Sequence, residues 1–156
     1  VYRFHFVNEL RSKAMKNPVL KASLLFVVLC SQVLAGPVEE AARKHFEAIG
    51  TGQVEAIMAQ YADEAVLVWV GGPLDGVYVG AARLREVWSR FSRNAPLTVS
   101  VARLEESAND KGATVTANVQ FQGKNTIKVR YVLVYRDGKL VNEVWQIDPK
   151  LVMSGY

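Results

Sequence analysis

The 156-residue chain carries 19 Lys and Arg against 15 Asp and Glu, a net charge of +4. The whole excess lies ahead of Gly36, where Arg3, Arg11, Lys13, Lys16 and Lys21 face only Glu9, so residues 36–156 are neutral. A neutral body offers no electrostatic footprint to a phosphate backbone, which argues against nucleic-acid binding; the single cysteine, Cys30, lies outside that body, which leaves it no disulfide, no thiol nucleophile and no Cys/His zinc site.

From Met15 the chain runs through Lys16 and Lys21, turns apolar over Leu24–Cys30, and exits through Val33-Leu34-Ala35 ahead of Gly36-Pro37. A basic start, an apolar run and a small-residue exit form the pattern of a secretory signal, with cleavage expected after Ala35. The run is shorter than the roughly 20 residues of a membrane span. Leu29 is bulky for a lipid-attachment motif at Cys30. Residues 1–14 precede a good start at Met15 and read as an over-extended frame or a long basic leader. The expectation is a periplasmic or secreted domain over 36–156, with no membrane contact after the signal is removed. Without a cross-link, such a domain is held by packing alone.

Within that domain Val38, Ala41, Ala42, His45, Phe46 and Ile49 mark one helical stripe, stopped by Gly50. Thr51 is expected to cap a second short helix with the stripe Val54, Ile57, Met58, Tyr61. Ala65–Val70 reads as a buried strand, Gly71-Gly72-Pro73 and Asp75-Gly76 as turns, and Val77–Val79 as a brief second strand. A third helix follows Gly80, with Leu84, Val87, Trp88 and Phe91 on one face. After Pro96 the pattern alternates with period two. Leu97, Val99 and Val101 open one strand, and Ala113, Val115, Ala117, Val119 and Phe121 share a face of the next. Thr126–Arg136 and Leu140–Asp148 form a last hairpin about Asp137-Gly138. Three helices and a meander of long antiparallel strands make an α+β domain.

The segments Lys44–Gly52, Tyr61–Val66, Gly76–Gly80 and Tyr135–Val141 resemble the NTF2-like superfamily, in its SnoaL-like and ketosteroid-isomerase-like branches. The resemblance covers about 38–150. It implies a cone in which three helices pack against a strongly curved antiparallel sheet around a central pocket, and its members include isomerases and dehydratases beside non-catalytic binding domains. In the isomerase-like branch the position of His45 holds an oxyanion-stabilising tyrosine. The partner acid falls at or beside Tyr131, and the general-base aspartate falls at Trp69. No base stands in that usual place.

Strand parity selects the inward side chains. The odd face of the last hairpin carries Val129, Tyr131, Leu133 and Tyr135, then Val141, Glu143, Trp145 and Ile147, and is the more apolar. A carboxylate and an imidazole are each unfavourable in an apolar interior unless they pair, which predicts a contact between Glu143 and His45. Histidine ordinarily titrates near neutral pH and suits proton transfer. His45, Glu143 and Tyr131 are therefore the candidate catalytic residues, and Trp69, Trp88, Tyr131, Trp145, Tyr61 and Phe46 the candidate walls of a ligand site. A lone histidine on an apolar helix face is also commonly a packed core residue. Two readings of function follow. One is a domain that binds a small, largely apolar molecule without metal or cofactor, with isomerase- or dehydratase-type acid/base chemistry. The other is a non-catalytic homodimer joined through the sheet face of Thr114, Thr116, Asn118 and Gln120, which carries no charge.

Overall fold

The computed structural model describes residues 36–154. The expected signal and its cleavage point lie outside the described residues. The elements in order are α1 (Pro37–Thr51), α2 (Val54–Met58), β1 (Tyr61–Val70), β2 (Gly76–Val79), α3 (Gly80–Phe91), a 3-10 turn (Ser92–Asn94), β3 (Thr98–Asn109), β4 (Gly112–Gln122), β5 (Thr126–Arg136) and β6 (Lys139–Ile147). The strands form one six-stranded sheet in the order β2-β1-β6-β5-β4-β3. Every pair is antiparallel except β1 with β6, which run parallel.

The sheet wraps the helices, as the resemblance implies. α3 packs on β1 and β2 at one end, while α1 packs on β3 and β4 at the other. Bulges between Val101 and Arg103 in β3, and at Val134–Tyr135 against β6, break the register and bend the strands. The inner face is a continuous apolar layer that includes Leu67, Val115, Val119, Leu133 and Trp145. Outward positions alternate with it along β4, where Thr114 and Thr116 are exposed between buried Ala113, Val115 and Ala117. Among the described residues no helix is long and apolar enough to cross a membrane.

Several local expectations are corrected. Gly50 does not stop α1; the helix runs on to Thr51 and ends at Gly52, whose φ of 72° is the left-handed cap. Gly50 instead lets the helix touch β3, because a Cβ there would meet Val99 and lie 3.0 Å from the Leu97 carbonyl oxygen. Thr51 does not cap α2: its hydroxyl donates back to the Glu47 carbonyl at 2.9 Å. Tyr61 leaves the stripe of α2 and opens β1, since Tyr61 pairs with Leu140 and the Leu140 N–H donates to the Gln60 carbonyl. In β6 the bulge buries Leu140 and leaves Val141 half-buried, so inward parity holds only from Glu143 onward.

The start of α1 is also tied to the sheet. Gly36 offers no capping side chain, and the Glu106 carboxylate on β3 accepts the Glu39 N–H at 2.8 Å. The acid stands in for the missing cap and opposes the positive end of the helix dipole.

Candidate functional site

Four elements each send one side chain to the same buried point. His45 comes from the buried face of α1, Tyr61 from the first residue of β1, Trp88 from α3 and Glu143 from β6. The His45 Nε2 lies 3.0 Å from Glu143 Oε2, and both side chains are fully buried. The Tyr61 hydroxyl donates to the same Oε2, and the Trp88 indole N–H donates to that hydroxyl at 3.0 Å. One carboxylate oxygen thus gathers a phenol and an imidazole, with an indole behind the phenol. A single proton on the His45–Glu143 axis interconverts an imidazolium–carboxylate pair and a neutral pair. A buried pair of this kind stabilises little overall, but losing one partner strands the other, at a cost of about 3–5 kcal/mol.

The remaining polar atoms of the cluster are unbonded. Glu143 Oε1, His45 Nδ1 and the hydroxyls of Tyr131 and Tyr135 are buried with no hydrogen-bond partner, as are the indole nitrogens of Trp69 and Trp145. Burial, and then the neighbouring Glu143, hold the Tyr61 and Tyr131 hydroxyls well above the ordinary phenol range. The same two causes raise Tyr135. All three tyrosines therefore remain donors at neutral pH around one carboxyl group.

The six expected wall residues meet in the interior, yet they chiefly contact one another. Trp69 stacks on Trp145 with ring centroids 4.3 Å apart, and Phe46 lies 4.6 Å from Tyr131. Trp88 crosses Trp145 at 5.6 Å. Tyr61 among them lines a cavity of about 260 Å³ between α2, β1 and α3. A larger cleft, of about 580 Å³, runs along the β3–β4 turn and the end of β5. Its lining joins Thr114 and Val134, cross-strand partners on the outer face, to the inward-facing Ala113 and Tyr135 at the end of the sheet.

The expected pairing of His45 with Glu143 is present, and Tyr131 stands beside it. Trp69, at the position where the resemblance places a base, is a stacked core side chain. What sequence reasoning missed is the hydroxyl of Tyr61 as the second donor to Glu143. Read on the α2 stripe it was only a wall, and the signal that could have moved it is the parallel pairing of β1 with β6.

A family model described as a SnoaL-like domain matches residues 42–143. An NTF2-like protein of unknown function from Pseudomonas putida KT2440 is 18% identical, with a TM-score of 0.62 over 72% of this chain and 87% of that one. A ketosteroid isomerase-like protein from Erwinia carotovora atroseptica SCRI1043 is 18% identical, with a TM-score of 0.57 over 70% and 92%. A de novo designed protein with a curved β-sheet is 16% identical, with a TM-score of 0.59 over 72% and 86%. No curated protein matches. The likenesses to solved structures bear on the fold, the model match covers more than half of the sequence, and the chain therefore belongs to the SnoaL-like domain family, with an NTF2-like fold.

Proposed function

We propose that this domain binds a small, largely apolar molecule bearing a carbonyl or hydroxyl group and moves a proton on it, as an isomerase or dehydratase does. The observation that carries this reading is the set of unbonded polar atoms on Glu143, His45, Tyr131 and Tyr135 within one aromatic interior. An unmade buried hydrogen bond costs about 1–3 kcal/mol, and folded proteins leave few such groups unless something polar comes to them. A free carboxyl oxygen with three such groups beside it forms a donor and acceptor set matched to a polar head on an apolar body.

The roles follow from which atoms are free. Glu143 Oε1 is the atom able to take a proton from carbon next to a carbonyl. His45 and Tyr61 occupy Oε2 and fix the carboxyl plane. The Tyr131 hydroxyl, held protonated by burial, is a donor for the oxygen on which charge develops. The aromatic side chains that now fill the interior must part to admit the ligand. Incubating the protein with small cyclic enones in deuterium oxide, and following exchange next to the carbonyl by NMR, tests the reading. General acid–base catalysis is typically worth 10²–10⁴-fold, so Glu143→Gln and His45→Ala are each expected to slow exchange by about that factor. Equal exchange in both variants and wild type overturns the proposal. Export of the domain to the periplasm or exterior is part of the same reading and rests on the pattern at Met15–Ala35.

A second reading, a homodimer through the outer sheet face, is favoured by one observation. Val77 and Val79 of β2 are 63% and 52% exposed and continue across the sheet as Val68, Val144 and Val132 to Thr116. Part of the expected face is already used by the chain itself. Asn118 donates to the Val152 carbonyl and Lys128 to that of Leu151, whose side chain is buried. The surface open to a second copy is thus the valine band and the Thr114–Thr116 end, not Asn118.

A further inference from the structure

The cavity of about 260 Å³ between α2, β1 and α3 is bounded by small or flexible apolar side chains, Met58, Ala62 and Ala81, with Tyr61 as its one aromatic member. The alanines create the space, since larger residues there would close the gap between the helices. Along α3, Ala81, Arg85 and Trp88 recur at i, i+4 and i+7 and so share a face. That face begins at the wall of the cavity, passes its rim at Arg85, and ends at the indole that donates to the Tyr61 hydroxyl. Tyr61 itself lines the cavity and donates to Glu143. One side chain therefore separates the cavity from the buried carboxyl group.

The rim is closed by an ion pair. Arg85 of α3 meets Glu55 of α2 across it, with side chains 47% and 81% exposed. A pair so open to solvent is weak and screened by salt, so it spans the mouth without locking it. Asp63 adds a further acid to the lining, which leaves the mouth net negative and disfavours anions. The volume falls just below the roughly 300–1,000 Å³ typical of drug-sized ligands.

We infer that this cavity is the vestibule of the Glu143 site, that it takes a compact uncharged molecule with a hydroxyl or carbonyl group, and that Tyr61 is the gate between the two. The inference rests on the proton-transfer reading of Glu143 for its destination, but not for the vestibule itself. Tyr61 acts here as a positioning residue: rotation of its ring breaks the hydrogen bond it donates to Glu143 and the one it accepts from Trp88, and joins the cavity to the interior.

The Met58 methyl group reports on the vestibule directly. In the full chain with labelled methionine methyls, 4-fluorophenol is expected to shift the Met58 signal and leave Met153 unmoved, while 4-fluorobenzoate does neither. Ala81→Trp, at an exposed position, fills the cavity and is expected to weaken that binding by about tenfold or more; Ala62→Leu serves the same purpose if the tryptophan variant misfolds. In the enone exchange assay the filled variant is expected to lose kcat/KM while keeping the pH profile, and Tyr61→Phe to keep phenol binding while changing that profile. No Met58 shift, or equal binding in the filled variants, overturns the vestibule. Normal exchange in Glu143→Gln beside a Met58 shift that Ala81→Trp removes would leave the vestibule standing and end the proton-transfer reading instead.

Discussion

Glu143 has two oxygens in unlike surroundings, one holding two donors and one holding none. That asymmetry makes the stability of the pair measurable apart from any activity. His45→Ala and Glu143→Ala are each expected to cost about 3–5 kcal/mol in urea unfolding, since each strands a buried polar partner. The double variant should cost clearly less than the sum, by at least about 1 kcal/mol; strict additivity would deny the pairing. The tyrosines set a second expectation. Their folded-state pKa values are raised above the unfolded value of about 10. Their contribution is thus fully present below about pH 10 and is lost as pH rises beyond it, by about 1.4 kcal/mol per pH unit for each buried tyrosine. Near-ultraviolet titration should show Tyr61, Tyr131 and Tyr135 silent until the protein unfolds. Both members of the acid pair were legible in the sequence, because helical stripe and strand parity are local patterns and a polar residue on an apolar face must find a partner. The Tyr61 contact was not legible. Its spacing from Ile57 and Met58 fits a helix, and only β6, arriving from far along the chain, draws it into a strand.

At the scale of elements, the junction of α1 with β3 decides how well His45 is aimed. Gly50 would ordinarily gain about 0.5–1 kcal/mol on replacement by alanine inside a helix. Here the new methyl group meets Val99 and the Leu97 carbonyl oxygen, and overpacking of that kind costs about 1–3 kcal/mol. The steric term is the larger, so Gly50→Ala is expected to lower stability by about 1–2 kcal/mol, read as a lower midpoint in urea. A rise in stability would mean that α1 can back away from the sheet. Helices and strands could be read from periodicity to within a few residues, because one buried face imposes its period on the chain. Their ends could not, because Gly52 rather than Gly50 ends α1 and bulges reset parity at Arg103 and Leu140. Those features depend on a neighbour's position in space.

For the whole molecule, the exposed valines of β2 are the surface on which the dimer reading turns. Light scattering on the purified chain is expected to give twice the monomer mass, and Val77→Lys with Val79→Lys is expected to halve it while leaving the Glu143 cluster on the opposite face intact. Two charges set directly against their copies would cost more than the exposed valines gain. A monomer before substitution would remove the dimer reading. The curved sheet and its inner layer followed from the family resemblance and the alternating strands, whereas the parallel pairing of β1 with β6 did not, because it joins strands far apart in the chain. The filling of the cone did not, because the way Trp69, Phe121 and Trp145 pack together depends on ring orientations that carry no sequence period.

The length of chain between the members of the acid cluster has a consequence in time. His45 and Glu143 are 98 residues apart, and Tyr61 and Glu143 are 82 apart. β6 is also the strand that joins β1 to β5 in the middle of the sheet. Until the last strand arrives, the sheet is two unconnected pieces and the imidazole of α1 has no acid to meet. Closing so long a loop early in folding is entropically costly, and non-local sheets of this kind form in milliseconds to seconds rather than microseconds. A growing chain consequently has no finished interior until β6 is available to join the two pieces. The acid cluster can form only once that strand is present, since Glu143 stands on it.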